Sequence, residues 1–347
     1  MTRSAAAAHV TRCACIDIGS NTTRLLVAEP DGGRLREVVS ERAFTLLGAS
    51  AATPCELGAD KIGEVAEVVA RQVRIAEELG VASLRIVATA AVRGAVDRAA
   101  LAVAVAESCG ARLEILDAQE EARLAFQGAI GMLVVCPPGL LGVADVGGGS
   151  TELVVGTPEG GVTWSISLPL GSSSLTRSER LSDPPTAAEL ARVRATLAER
   201  FGAVEAPKPA VAYAVGGSAT SMQRLMGAAL DREVLARALQ AIVTRPAAEV
   251  ALGLGLHPDR ARLLPAGILL LDAASRALRA PLRFAGGGRA RASCSSSSRG
   301  CLRDGVRRCW RKASVTGLVD EATASQPAPG AVAQGSSAPF SLYARTT

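Results

Sequence analysis

Residues 140–156 read Leu-Leu-Gly-Val-Ala-Asp-Val-Gly-Gly-Gly-Ser-Thr-Glu-Leu-Val-Val-Gly. This pattern predicts a buried strand that ends at Asp145, a loop of glycines and hydroxyl residues, and a second apolar strand that begins at Glu152. Glycine lets backbone N–H groups approach an anion closely, as a phosphate-binding loop requires. Asp145 is placed where Mg²⁺ ligands commonly stand beside phosphate. An ordinary glycine-rich β-hairpin is the alternative.

A second copy of this pattern lies near the N-terminus. Residues 17–27, Asp-Ile-Gly-Ser-Asn-Thr-Thr-Arg-Leu-Leu-Val, align without gaps with residues 145–155. Because strand, aspartate, small-residue turn, hydroxyl pair and apolar strand recur in the same register, the sequence predicts two related half-domains. Two phosphate-facing hairpins imply a cleft between two lobes.

The remaining pattern predicts an α/β fold in which each half starts with a three-stranded meander and continues with helices and further strands. In the first half we expect strands at 13–18, 24–29, 35–42, 84–88 and 112–116, and helices at 60–80, 96–108 and 119–132. In the second half we expect strands at 140–146, 152–156, 162–168 and 210–215, a long loop at 171–185, a helix at 186–201 and further helices up to 279.

Five motifs, in order, make the chain resemble the exopolyphosphatase and guanosine pentaphosphate phosphatase family. They are residues 16–22, 88–93, 119–124, 145–152 and 215–220, and the resemblance covers roughly residues 12–288. It implies the two-lobed actin-like ATPase (sugar kinase/actin) fold, with duplicated mixed sheets and ribonuclease H-like lobes at 1–133 and 134–288. Residues 289–347 are Ser- and Arg-rich, and we predict a disordered tail there. We hypothesise that a frameshift replaced the family's final helix.

Hydrolysis of a phosphoanhydride needs donors for phosphate oxygens, a metal to bind charge, and a base to orient water. The predicted phosphate ligands are Gly19, Ser20, Asn21, Thr22, Arg93, Gly147, Gly148, Gly149, Ser150 and Thr151. The predicted ligands of Mg²⁺ or Mn²⁺ are Asp145, Glu152 and Asp17. Gly216, Gly217 and Ser218 are predicted to lie at the nucleoside or phosphate side of the cleft, as in nucleotide-binding relatives of the fold.

Glu121 is the predicted catalytic base. It lies in the first turn of the helix predicted at 119–132, and its counterpart in the family is thought to activate the attacking water. Acidic residues in a first helical turn are also favoured by the helix dipole, so Glu120 and Glu121 could both be N-terminal charges without catalytic function.

The resemblance implies a metal-dependent hydrolase that releases terminal phosphate from inorganic polyphosphate, guanosine pentaphosphate, or both. Guanosine tetraphosphate is a further expected ligand, and we expect a homodimer. Two alternatives stay open on this fold. One is an ATP-dependent kinase, and the other is a non-catalytic nucleotide-binding regulatory protein.

The composition restricts which partners and which cellular compartment we expect. The net charge is a modest +5, only 3% of the residues are aromatic, and no basic stripe is interleaved with aromatic residues. We therefore do not expect nucleic acid as a partner. The chain has eight cysteines, none in a Cys-x-x-Cys pair, and only two histidines, so we do not expect a zinc site. We expect the cysteines to be reduced thiols. The sequence has no apolar run of membrane-spanning length and no signal-peptide pattern near its start, so we expect a cytoplasmic protein without membrane partners.

Overall fold

The computed structural model describes residues 12–31, 34–49, 56–133 and 135–285, and within them the chain forms two mixed β-sheets. The tail predicted at 289–347 and its frameshift hypothesis lie outside the described residues. Among the residues described, no helix is both long and apolar enough to cross a membrane.

The first sheet has the strand order β3-β2-β1-β4-β5. Its strands are β1 (Cys13–Ile18), β2 (Thr22–Asp31), β3 (Arg34–Phe44), β4 (Ser83–Ala88) and β5 (Leu113–Ile115). The helices of this half are α1 (Ala59–Glu78), α2 (Ala90–Arg93), α3 (Arg98–Cys109) and α4 (Ala118–Gly131). The apolar faces of α1 and α3 pack on one face of the sheet, because both present branched residues at helical spacing toward it.

The second sheet has the order β10-β11-β9-β6-β7-β8. Its strands are β6 (Leu141–Val146), β7 (Thr151–Thr157), β8 (Gly161–Leu168), β9 (Val211–Val215), β10 (Ala229–Leu230) and β11 (Leu282–Phe284). The helices are α5 (Ser172–Ser178), α6 (Ala187–Gly202), α7 (Gly216–Met226), α8 (Arg232–Ile242), α9 (Ala247–Leu254) and α10 (Pro258–Leu278). The core between this sheet and its helices is centred on α10.

The predicted duplication of mixed sheets is confirmed. In each sheet the first strand pairs antiparallel with the second and parallel with the strand that follows the meander. The irregularity in register also recurs: it lies between Val27 and Ala28 in one sheet and between Val155 and Gly156 in the other. These positions coincide in the gapless alignment of 17–27 with 145–155, continued by one residue.

Helix α4 lies between the two sheets. Ala122, Phe126 and Ala129 pack against β6, β7 and β9 of the second sheet. Leu124 packs instead with Cys15 and other buried residues of the first sheet. One helix thus contacts both lobes, and the lobe boundary at 133/134 stays a prediction.

Helix α5 occupies part of the stretch predicted as a loop at 171–185, and that prediction is wrong for residues 172–178. Three consecutive serines carry no apolar period, and serine competes with the backbone for hydrogen bonds. Tertiary contacts override this low propensity: the backbone N–H groups of Ser172 and Ser173 donate to the carbonyls of Gly147 and Gly148, both at 2.9 Å.

Candidate active site

One cleft between the lobes collects most of the predicted site residues. Fifteen of the predicted residues line it: Asp17, Gly19, Ser20, Asn21, Thr22, Glu121, Asp145, Gly147, Gly148, Gly149, Ser150, Glu152, Gly216, Gly217 and Ser218. The carboxyl ends of β1 and β6 meet here, as the duplicated motif requires.

The two predicted phosphate loops have the same internal hydrogen bond. The N–H of Gly19 donates to the carbonyl of Thr22, and the N–H of Gly147 donates to the carbonyl of Ser150, both at 3.0 Å. N–H groups of α5 donate to the carbonyls of Gly147 and Gly148. The C=O and N–H of a trans peptide point in opposite directions, so the N–H groups of Gly148 and Gly149 point away from α5. They are available to an anion in the cleft.

Glu121 is buried and Glu120 is not. Glu120 pairs with Arg123 at 2.7 Å on the outer side of α4, whose N-cap is Asp117. Glu121 is 5% exposed and lines the cleft, and its carboxylate accepts a hydrogen bond of 2.6 Å from Arg93. The structure therefore separates the two acidic residues of this turn, and only Glu121 faces the cleft.

The environment of Glu121 suits a base. Burial raises its pKa, while the ion pair with Arg93 and a hydrogen bond from Thr89 oppose that rise. A carboxyl group whose pKa is raised toward neutrality is a better proton acceptor, and two fixed partners orient it.

Three further carboxylates crowd the same cleft. Asp17 lies opposite Arg24 at the end of the first hairpin, and Asp145 lies opposite Glu152 at the same position of the second. Burial, then the negative charges of Glu121 and Asp17, raise the pKa of Asp145 well above its ordinary value. Burial and the charges of Glu121 and Asp145 do the same to the pKa of Glu152, which accepts a hydrogen bond from Ser167.

These carboxylates fit a divalent cation. The Oδ1 atom of Asp17 is buried and has no hydrogen-bond partner among the described residues, and the mutual repulsion of the group would be relieved by positive charge. Within the described ranges no three His, Cys, Asp or Glu side chains converge into a ready-made metal site. Mg²⁺ commonly takes only one or two carboxylates and completes its shell with water and phosphate oxygens.

Arg24 is the clearest cleft residue that the sequence reasoning missed. It is 4% exposed, and its Nη1 and Nη2 atoms have no hydrogen-bond partner among the described residues. Burial, and then the charge of Arg42, lower its pKa to about 10, so it remains a cation at neutral pH. The alignment of the two hairpins could have identified Arg24 as a site residue, since it aligns with Glu152 of the second copy.

Other missed lining residues come from elements without a recognisable motif. Helix α10 contributes Asp259, Arg260, Leu263 and Leu264, β3 contributes Arg42 and Phe44, and α5 contributes Ser172. No local pattern in these segments predicts that they meet the two hairpins.

Gly216 shows why the start of α7 needs glycine. Its φ is +90°, and a Cβ there would stand 2.6 Å from Oδ1 of Asp145. A side chain would therefore collide with the predicted metal ligand and strain the backbone. Gly217 lies under the guanidinium of Arg260, and Ser218 is buried against Gly267 of α10.

Two predicted phosphate ligands lie outside the cleft lining. Arg93 is paired with Glu121 and also donates to the carbonyl of Leu116 at 3.0 Å. The hydroxyl of Thr151 donates to the carbonyl of Leu170 at 2.6 Å. Arg93 thus holds the Glu121 carboxylate, and Thr151 connects β7 with the segment before α5.

The pKa of Asp17 predicts how the metal-free chain responds to pH. Burial first, and the charge of Glu121 second, raise that pKa from 3.8 to about 8, although Arg24 opposes the rise. A raised acid pKa means that the folded state holds the proton longer than the unfolded state, so this group's contribution to stability is full below about pH 4 and is lost as pH rises to about 8. We expect Asp17→Asn to be more stable than the wild type at pH 8 in chelator, by on the order of a few kcal/mol.

Urea unfolding of both chains at pH 5 and pH 8, with chelator present, measures this difference. The exposed Glu199→Gln is the control and should change nothing. If the advantage of Asp17→Asn fails to grow between pH 5 and pH 8, the assigned burial of the charge is wrong.

Two duplicated lobes around a cleft of acidic and glycine hairpins, with a buried glutamate held by arginine, define an actin-like phosphohydrolase. The Ppx/GppA phosphatase family model matches residues 26–288, and the chain belongs to this family. It is 33% identical over 287 residues to exopolyphosphatase 1 of Mycobacterium tuberculosis, covering 77% of this chain and 82% of that protein. Exopolyphosphatase 1 of Mycobacterium leprae is 31% identical over 284 residues, covering 77% and 83%.

Solved structures give the same fold. The Ppx/GppA family member of Aquifex aeolicus superposes with a TM-score of 0.69 at 26% identity, covering 86% of this chain and 97% of that chain. An exopolyphosphatase from Cytophaga hutchinsonii superposes with a TM-score of 0.72 at 19% identity, covering 80% and 94%. The predicted family, the two-lobed actin-like fold and the phosphohydrolase class are confirmed.

Proposed function

We propose that the chain hydrolyses the terminal phosphoanhydride bond of inorganic polyphosphate, using a water molecule that Glu121 orients. The observation that carries this proposal is the buried Glu121 carboxylate, held by Arg93 at 2.6 Å in the cleft that both glycine hairpins line. An exopolyphosphatase is also what the Mycobacterium relatives are named.

The two hairpins carry different charges toward the substrate. At equivalent positions the first carries Asp17 with Arg24, and the second carries Asp145 with Glu152. We assign phosphate oxygens to the loop N–H groups, to the hydroxyls of Ser20 and Ser150, and to Arg24. Asp145, Glu152 and Asp17 would hold Mg²⁺ or Mn²⁺, which when bound neutralises charge on the phosphate oxygens.

In the reaction, the oxygen of the water attacks the terminal phosphorus while its proton passes to Glu121. The bond between that phosphorus and the bridging oxygen breaks, and the products are orthophosphate and a chain shorter by one phosphate.

Phosphate release from polyphosphate, guanosine pentaphosphate and ATP, measured side by side without an acceptor, tests this function. Release from a polyphosphate tail supports the hydrolase. Use of ATP only with an acceptor would indicate a kinase, and tight binding without turnover would indicate a regulatory protein. No feature of the site favours either alternative over hydrolysis.

Guanosine penta- and tetraphosphate as ligands, and a homodimer, remain predictions from the resemblance. The guanosine pentaphosphate arm above tests the first of these, and light scattering of the purified chain tests the second. We also propose a cytoplasmic location, which fits the free thiols of Cys13, Cys15, Cys109 and Cys136.

Arg93→Gln should shift the pH dependence of turnover. Because the ion pair with Arg93 lowers the pKa of Glu121 against the effect of burial, its loss raises that pKa further. The base must be deprotonated to accept a proton, so we expect the acidic limb of the kcat profile to move to higher pH, by about one unit or more. Arg123→Gln, which removes the partner of Glu120 instead, is the matched control.

The measurement is kcat between pH 5 and pH 9 at saturating polyphosphate. A variant with a raised KM and an unmoved acidic limb would show that Arg93 binds phosphate rather than holding the base.

A further inference from the structure

The two phosphate loops touch each other directly across the cleft. The side chain of Asn21 lies over Gly148, so close that a Cβ there would stand 2.6 Å from Nδ2 and 2.9 Å from Oδ1 of Asn21. The side chain of Ser20 covers Gly149 in the same way, with its Oγ 2.5 Å from where a Cβ would stand. The second loop therefore has glycine at 148 and 149 because side chains there would collide with Asn21 and Ser20 of the first loop.

Asn21 is fixed from both lobes. In the first lobe its backbone carbonyl accepts hydrogen bonds from the N–H groups of Thr45 and Leu46, at 3.1 and 3.0 Å. From the second lobe the hydroxyl of Ser173 donates a hydrogen bond to Oδ1 of Asn21. Ser173 is 6% exposed, and its own N–H holds the carbonyl of Gly148.

A second contact joins the lobes away from these loops. The ring of Phe44, at the end of β3, stacks on the ring of His257, the N-cap of α10, with centroids 3.9 Å apart and an interplanar angle of 20°. Protein contacts thus join the two lobes at two places, between the loops and between Phe44 and His257.

We propose that Asn21 and Ser173 form a latch that keeps the lobes closed before substrate binds, and that Asn21 acts as a positioning residue through this bond. The latch keeps the N–H groups of both loops facing one anion. If only closed molecules bind substrate, the apparent affinity is the intrinsic affinity multiplied by the fraction of closed molecules. A weaker latch therefore raises KM and leaves kcat unchanged.

The latch has a kinetic test, which rests on the proposed polyphosphate hydrolysis. Ser173→Ala should raise KM for polyphosphate by up to about tenfold, the limit set by loss of one buried hydrogen bond, with kcat within about twofold of the wild type. Ser173→Thr keeps the hydroxyl and should restore KM. Ser178→Ala removes a hydroxyl of the same helix whose hydrogen bond among the described residues stays within α5, and it should leave both constants unchanged.

A distance measurement tests the latch independently of turnover. Spin labels on non-canonical residues at the exposed positions Glu78 and Gln240 report the separation of α1 and α8, one helix from each lobe. We expect ligand-free Ser173→Ala and Asn21→Ala to have a larger population at longer distance than the wild type and Ser173→Thr have.

Two outcomes would overturn the latch. One is a Ser173→Ala chain with the wild-type distance distribution and the wild-type KM. The other is an Asn21→Ala chain with a raised KM and an unchanged distance, which would make Asn21 a phosphate ligand only. If no polyphosphate is hydrolysed, the proposed function fails, but the distances still decide the latch.

Discussion

Glu121→Gln is expected to lower kcat for polyphosphate by about 10²- to 10⁴-fold, the usual contribution of a general base. Glutamine keeps the shape of the side chain but cannot accept the proton of the attacking water. Polyphosphate should still bind, because the loops and Arg24 are untouched and one negative charge has left the cleft. Phosphate release measures the first effect, and calorimetric titration of polyphosphate measures the second.

Glu120→Gln is the matched control for this experiment. It removes a carboxylate from the same helical turn, but that carboxylate pairs with Arg123 outside the cleft. We expect its turnover to stay near that of the wild type. Unchanged turnover in Glu121→Gln would remove Glu121 from the role of base, and equal losses in both variants would point to damage to α4.

Asp145→Asn is expected to raise the Mg²⁺ concentration needed for half-maximal activity by at least about tenfold, since even residues that only orient metal ligands change affinity by 10- to 100-fold. The carboxylate is buried at the end of β6. An amide oxygen there carries no charge to offset that of the metal. The same shift is expected with Mn²⁺.

Metal binding should be measured apart from turnover. Titration of Mg²⁺ into Glu121→Gln and into the double variant Glu121→Gln/Asp145→Asn, each with polyphosphate present, gives the affinity without hydrolysis. Asp259→Asn removes a carboxylate that α10 contributes to the same cleft and is the control. Equal Mg²⁺ affinity in the presence and absence of the Asp145 carboxylate would exclude it as a ligand.

The strands and the duplication could be predicted because their signals are local. Strand β1 was expected at 13–18 and is found there, and α1 was expected at 60–80 and spans Ala59–Glu78. A buried strand needs a short apolar run, and a helix packed on a sheet needs an apolar stripe, so both can be read from a few neighbouring residues. Helix α5 could not, because contacts with the loop at Gly147 and Gly148 stabilise it rather than its own serines.

For the site, the predicted loops and carboxylates lie in one cleft, but their roles stay predictions until the variants are measured. The family resemblance singles out Glu121 as the predicted base, but the residues alone do not separate it from Glu120, because both stand in one helical turn. Burial against Arg93 and Thr89, which come from another part of the chain, separates them. Arg93 itself was predicted to bind phosphate, and its ion pair instead suggests that it holds the base.

The sequence by itself determined that the chain has two copies of an acidic, glycine-rich hairpin and therefore two lobes, since each hairpin is encoded within about a dozen consecutive residues. Only the tertiary structure decided which charges face the cleft, that Arg24 lies buried within it, and that Ser173 reaches Asn21. These depend on the approach of segments more than a hundred residues apart, as Asn21 and Ser173 are. Their meeting is set by the packing of two sheets around α4, which no local pattern encodes.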